Sequence, residues 1–428
     1  MEWYYIILIC FGLFLLLALP GLWMATALGM AGIIAMNLTD FSAPQVVANC
    51  VWKLSTDFAL TAVPLFLVMG EIIIESRVSK RFYKAVAKYL KHIPGGLLHS
   101  NIAACGIFSA ICGSSPATAA AVGGVALPEL EALNYKNRYS YGTIAAGGTL
   151  GILIPPSIVL IIYGSLCNES VIKLFTAAII PGLMLLQIFS IYVLILGIVR
   201  KKDFKIKWEL YDDVSHVEAM KGILPLLIMI IVVLSCIYTG VSTPTEAAGI
   251  GSFLAIISGL FFGELTLKRF WNALKIAART TSMLLFIVLG TSIFSYIMSS
   301  TNATAQLVSW LVDMDLSKYL LLIMVYVMYI VLGFIMEPIS MIYLTLPILY
   351  PVMIGYGFNG IWFAVVLVIL MEIGLLTPPL GINLLVLKGI VPHAKISEIA
   401  IGVVPYLFLM LLMIAILTFF PSIATFLI

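Results

Sequence analysis

Apolar runs dominate the chain and are separated by short polar or Pro/Gly-containing breaks. Runs near 3–19, 22–38, 58–76, 139–164 and 172–199, then 222–240, 244–263, 280–300, 359–388 and 398–425, each predict a membrane span. Two further stretches, 96–128 and 319–356, are interrupted midway by polar, Pro-containing tips: CGSSPAT from Cys112 to Thr118 and MEPIS from Met336 to Ser340. Such tips suit helical hairpins that enter the bilayer and return on the same side. The predicted fold class is therefore an all-α polytopic membrane protein with about ten transmembrane helices and two re-entrant hairpins.

Composition supports this class and excludes others. Of 428 residues, 62% are hydrophobic and 10% charged, against roughly 25% charged in a soluble domain. The net charge of +3 is small and dispersed, so nucleic acid is not an expected partner, whereas the lipid bilayer is. Six scattered cysteines show no metal-binding spacing. An apolar run followed by Ala25-Thr26-Ala27 imitates a signal peptide, but no basic segment precedes it, and a retained first span is expected. With the N-terminus outside, 20 of the 23 Lys and Arg fall in inner segments, leaving Lys53, Lys173 and Lys318 outside. Both termini are then predicted periplasmic. The hydrophilic run 200–221 reads as a joint between two halves.

The halves match each other at a shift of about 222 residues. Ser115-Pro116 aligns with Glu337-Pro338, and GILIPPS (Gly151 to Ser157) with GLLTPPL (Gly374 to Leu380). The hairpin proline precedes the double proline by 39 residues in one half and 40 in the other. Five crossings and one hairpin per half make the second half run upside down, which is an inverted repeat. Secondary transporters use that architecture and hold substrate and ions at the repeat interface.

The candidate chemistry lies at the interruptions, where freed backbone groups need partners. In the first half Ser115 is placed as a helix N-cap with Pro116 in the first turn, so a positive helix end faces the membrane centre. Ser114, Ser115 and Thr118 offer hydroxyls, and Thr149, Gly151 and Ser157 surround the facing Pro-Pro break. The second half repeats the design with Glu337, Pro338, Ser340, Thr345, Thr377, Pro378, Gly381 and Asn383. Any single hydroxyl beside a proline kink can be purely structural; the four-part constellation is the specific signal. Glu337 and Glu372 stand out as carboxylates inside spans, with helix capping as the plainer account. Glu71 and Asp57 are read as interfacial, and Glu246 as favouring a helix start. The basic stretches Arg77–Lys91 and Lys268–Arg279 suggest matched amphipathic arms on the inner surface. No phosphate-binding GxxxxGK[ST] loop occurs, so an ion gradient is the expected energy source.

CGSSPATAAAVGGVALPEL, AGGTLGILIPPSIVLIIYG, VSTPTEAAGIG, MEPISMIYLTLPILYPV and GLLTPPLGINLLVLKGI resemble the large membrane subunit of the tripartite ATP-independent periplasmic (TRAP) transporters over essentially the whole chain. The resemblance implies Na+-coupled uptake of an organic acid across the bacterial inner membrane. It also implies two partners, a soluble periplasmic binding protein and a small four-helix membrane subunit, the latter expected as a separate polypeptide. The implied sodium sites are Ser114, Ser115, Thr118, Thr149 and Gly151, and Glu337, Ser340, Thr377, Gly381 and Asn383. Substrate is expected against Ser115, Pro116, Ser157, Pro338, Thr377 and Pro378, with Glu372 as a further intramembrane acid. C4-dicarboxylates and sialic acids are candidate substrates, with a lean to the latter. The implied elevator scheme divides the chain into moving segments, 96–164 and 302–388, and static ones, 1–95, 165–301 and 389–428. The rival readings are a stand-alone Na+/dicarboxylate symporter, an intramembrane enzyme using Glu337 and Glu372, and a passive channel.

Overall fold

The computed structural model describes residues 3–19, 21–39, 41–204, 215–313, 316–379 and 381–428, and the described residues are predominantly helical. The first half comprises α1 (Trp3–Ala18), α2 (Met24–Asn37), α3 (Ala43–Thr56), α4 (Ala62–Glu75), α5 (Val78–Leu90), α6 (Leu97–Cys112), α7 (Ser115–Ala132), α8 (Asn137–Thr149), α9 (Ile158–Cys167) and α10 (Val171–Val199). The second comprises α11 (His216–Tyr238), α12 (Pro244–Phe261), α13 (Leu267–Ser300), α14 (Ala303–Asp313), α15 (Lys318–Gly333), α16 (Pro338–Gly355), α17 (Gly360–Leu376), α18 (Ile382–Ile390), α19 (Ile396–Phe419) and α20 (Ser422–Thr425). Residues 205–214 of the hydrophilic joint, including Lys205 and Lys207, lie outside the described residues.

Both interrupted stretches form helix pairs, α6–α7 and α15–α16, and both double prolines divide a predicted span in two, α8–α9 and α17–α18. Five of the ten predicted spans are single helices long and apolar enough to cross a membrane: α10, α11, α12, α13 and α19. The hairpin arm α16 also meets that length. The spans near 3–19, 22–38 and 58–76 are helices of 16, 14 and 14 residues, shorter than the roughly 20 residues of a straight crossing. Two helices, α3 and α14, lie between the predicted spans. Nor do the basic arms match as expected. Arg77–Lys91 largely forms the separate helix α5, whereas Lys268–Arg279 opens the continuous 34-residue α13.

Packing sorts the helices into two bundles that meet along α4, α5, α13 and α14. In the first, α2 lies on α13 and α12 lies on α4, with α1 and α11 packed against α2 and α12. Small residues permit these approaches: a side chain on Gly29 would stand 3.4 Å from the Gly290 Cα, and Ser252 Oγ donates to the Leu65 carbonyl at 2.8 Å. In the second bundle α6 packs on α8, α15 on α17, α7 on α18 and α16 on α9. Each of these contacts has a counterpart with the halves exchanged. The bridging helices follow the same exchange, since α5 joins α11 to α6 and α7 while α14 joins α1 to α16. The centre of the second bundle is α17, all seventeen residues of which are buried. α10 and α19, expected among the static spans, pack on α17 and α8 respectively, inside this second bundle. Long apolar helices with one protein-facing stripe satisfy either location by sequence, and only tertiary contact separates them.

Candidate functional site

The first tip is built by a chain reversal at Gly113, whose left-handed backbone (φ 59°) ends α6. A side chain there would stand 2.9 Å from the Pro156 carbonyl oxygen, and the Ile158 amide donates to the Gly113 carbonyl at 3.3 Å. The tip therefore rests directly on the Pro-Pro break between α8 and α9. Ser114, rather than Ser115, holds the cap position, in extended backbone and without a side-chain capping bond. Ser115 is thereby released to reach across, and its Oγ donates to the Thr149 carbonyl at 2.9 Å. Thr118 Oγ1 donates to the Ser114 carbonyl at 2.9 Å. A Cβ on Gly151 would lie 2.6 Å from the Ser114 carbonyl oxygen and 2.7 Å from Thr118 Oγ1. The five residues named as the first ion site thus converge, and Ser115, Thr118 and Thr149 are fully buried. Ser157 is occupied otherwise: its hydroxyl donates to the Ile152 carbonyl at 2.5 Å and accepts from the Leu160 amide at 3.3 Å, starting α9.

The second tip uses a carboxylate where the first uses a hydroxyl. Glu337 caps α16 in extended backbone, Pro338 opens the helix, and Ser340 Oγ donates to Glu337 Oε1 at 3.3 Å. The α15–α17 approach is tight, because a Cβ on either Gly333 or Gly374 would stand 2.6 Å from the other's Cα. Thr377 ends α17 with its hydroxyl donating to the Ile373 carbonyl at 2.6 Å, and Gly381 caps α18 with φ 37°. Two expected members stand apart. Thr345 pairs with Tyr329 and the Met341 carbonyl within the hairpin arms. Asn383 donates to the Ala145 carbonyl of α8 at 3.1 Å, tying the second half's broken helix to the first's. Its Oδ1 and both Glu372 carboxyl oxygens are buried without a hydrogen-bond partner among the described residues.

Both tips open onto one cavity of about 350 Å³. Gly113, Ser114 and Pro116 contribute from the first tip, and Glu337, Pro338 and Ile339 from the second. Ile152, Ile158, Leu375 and Ile382 bring the two helix breaks to the same space. Its far wall belongs to the other bundle, with Leu67 and Glu71 of α4 and Thr280, Met283 and Leu284 of α13. Glu71 thus lines the cavity, a position its place near the end of a span did not indicate. Sequence reasoning missed this wall, since nothing local marks which turn of an apolar helix faces a tip forty or more residues away. Gly70, next to Glu71, is a faint sign: a Cβ on it would stand 3.1 Å from the Cys112 Cα, so α4 must run close to the first tip.

Geometrically, two helix N-termini and a set of hydroxyl and carbonyl oxygens face a mostly aliphatic chamber between two bundles. That arrangement suits cations at the breaks and a carboxylate at the helix ends. Comparison with known proteins identifies the family. Residues 9–423 match the DctM component of the tripartite ATP-independent periplasmic transporters. The chain is 32% identical over 399 residues to the C4-dicarboxylate TRAP transporter large permease protein DctM of Pseudomonas aeruginosa, covering 93% of this chain and 92% of that one. It is 29% identical over 398 residues to the sialic acid TRAP transporter large permease protein SiaM of Vibrio cholerae, covering 92% and 91%. The crystal structure of the Alcanivorax borkumensis YdaH transporter shares the fold with a TM-score of 0.60 at 14% identity, over 99% of this chain and 98% of that one. The chain belongs to the DctM family of TRAP transporter large permeases.

Proposed function

We propose that this chain couples a sodium gradient to the uptake of an organic acid, the class that includes the C4-dicarboxylates and sialic acid for which its relatives are named. In this reading it works with a small membrane subunit and a periplasmic binding protein, and the two halves form an inverted repeat. The observation that carries the proposal is the shared cavity, where both hairpin tips and both helix breaks face a wall from the other bundle. Na+ ligands are hard oxygens, and Ser115, Thr118, the Ser114 and Thr149 carbonyls at one tip and Glu337, Ser340 and Thr377 at the other supply them. Sodium at each break lowers the charge of a carboxylate held between two helix N-termini, so acid and ion cross together.

The two-bundle packing supports an elevator in which α6–α10 and α15–α20 travel as one body past α1, α2, α4 and α11–α13. α10 and α19 are assigned to the moving body on the contacts described above. The Ser165 Oγ donates to Asp57 Oδ2 at 2.6 Å, joining α9 to the loop before α4, and this bond has to break during such a movement. The test is uptake into proteoliposomes holding this chain and its small subunit, under an imposed Na+ gradient, with and without the binding protein. Uptake requiring both is the expected result. Uptake requiring sodium alone would favour a stand-alone symporter, and uncoupled flux would favour a channel.

A further inference from the structure

The two walls of the cavity differ in chemistry. The tip wall presents the starts of α7 and α16, which favour a carboxylate, together with Glu337, proposed above as a sodium ligand. On the opposite wall the polar groups are Glu71 and Thr280, set among Leu67, Met283 and Leu284, and among the described residues no Lys, Arg or His lines the cavity. Glu71 has no hydrogen-bond or ion-pair partner among the described residues. Its position is fixed by the close approach of Gly70 to Cys112 at the base of the first tip.

We infer that Glu71 selects the substrate, and that the cavity takes a monocarboxylate with an apolar body and one hydroxyl or ammonium donor, in preference to a dicarboxylate. This inference rests on the cavity being the substrate site proposed above. With the carboxylate held at the tips, the other end of the ligand meets Glu71. A donor there completes a hydrogen bond to the carboxyl, whereas a second carboxylate meets like charge with no cation on the wall to offset it. The aliphatic lining acts against a ligand with many hydroxyls, because each one beyond Glu71's reach loses its water without gaining a partner.

The test uses three acids that share one skeleton and differ only at the end remote from the carboxylate: 4-hydroxy-3-methylbutanoate, 3-methylbutanoate and methylsuccinate. Affinity for the purified full-length chain is measured at pH 8, with and without Na+, by ligand-induced thermal stabilisation. The hydroxy acid is expected to bind about tenfold more tightly than the deoxy acid, as for one hydrogen bond to a charged group, with methylsuccinate weakest. Glu71→Ala should reduce the hydroxyl preference below about twofold, as expected when that hydrogen bond is lost. Glu71→Gln, which keeps an acceptor but no charge, should retain that preference while improving methylsuccinate binding. Equal affinity for methylsuccinate and the hydroxy acid in the unaltered chain, or an unchanged preference in Glu71→Ala, would overturn the selectivity while leaving the cavity reading intact. Absence of sodium-dependent binding by all three acids would overturn both.

Discussion

The two hairpin tips occupy matching places in the two halves, yet they satisfy their polar groups differently. At the first, short hydroxyl side chains close the gap: Ser115 bonds to the Thr149 carbonyl and Thr118 to the Ser114 carbonyl, with Ser115, Thr118 and Thr149 fully buried. At the second, Glu337 takes the place of Ser115, and Glu372 aligns with Thr149. Here the carboxyl of Glu337 has Ser340, while Glu372 has no partner among the described residues. The first tip is a neutral, self-completed oxygen cluster; the second carries two acids and leaves one of them unmet. Equivalent backbone positions can therefore serve one architecture with different charge, which would let the two proposed ion sites differ in strength.

The largest effects are expected from filling the glycine at each break. Gly151→Val and Gly374→Val both push a side chain into backbone, at the Ser114 carbonyl and the Gly333 Cα respectively. Overpacking of this kind costs about 3 kcal/mol, and both variants should show a lowered thermal midpoint in detergent and at least a tenfold loss of uptake. A mild effect at one glycine alone would show that its tip is loosely seated. Next in size is Glu372→Leu. Removing a buried carboxyl without a partner should stabilise the solubilised protein by about 2 kcal/mol, read as a raised midpoint. A lowered midpoint would reveal an interaction at the second tip that the comparison assigns only to the first.

Smaller again are Ser115→Ala and Thr377→Val, each deleting one hydrogen-bonding hydroxyl worth about 1 kcal/mol. Each should raise the sodium concentration for half-maximal uptake about fivefold before expression changes. Unchanged sodium dependence in both would remove these residues from the proposed ion sites. The smallest effect is expected far from either tip, in the surface cluster where Glu264 meets Arg269 at 3.0 Å and Arg77 at 3.1 Å. The hydrogen bond from Arg269, together with the charge of Arg77, holds the Glu264 carboxyl below its ordinary 4.5. A depressed carboxylate stabilises the fold at neutral pH and loses that contribution as pH falls below about 4.5 through its folded value. Glu264→Gln should flatten the acid limb of a stability profile slightly at low salt and leave it unchanged at high salt.

Much of this was legible in the residues because the relevant signals are local. Pro116 and Pro338 open helices, the double prolines break spans, and the polar tips fall where the chain reverses. The Ser115–Thr149 pairing was implied only as proximity, since a one-residue shift in the cap decides which serine is free to reach across. What escaped was non-local or too mixed in polarity. α3 and α14 combine apolar and polar residues over fewer than fifteen positions and resemble loops in hydropathy. The cavity face of α4 and α13, the membership of α10 and α19, and the Asn383 bond to Ala145 depend on segments tens to hundreds of residues apart. No pattern within one helix encodes its neighbour.

The exchange of partners between halves bears on how the protein is made. α4 is completed by α12 and α2 by α13, so neither half completes the first bundle on its own. Roughly 180 residues separate α4 from α12, and at about 5–20 residues per second α4 waits about ten to forty seconds in the membrane before its partner is synthesised. During that interval lipid must cover a helix face shaped for protein. Biogenesis of this chain is thus an ordered docking of the late half onto the early one, and each half acts as the template on which the other assembles.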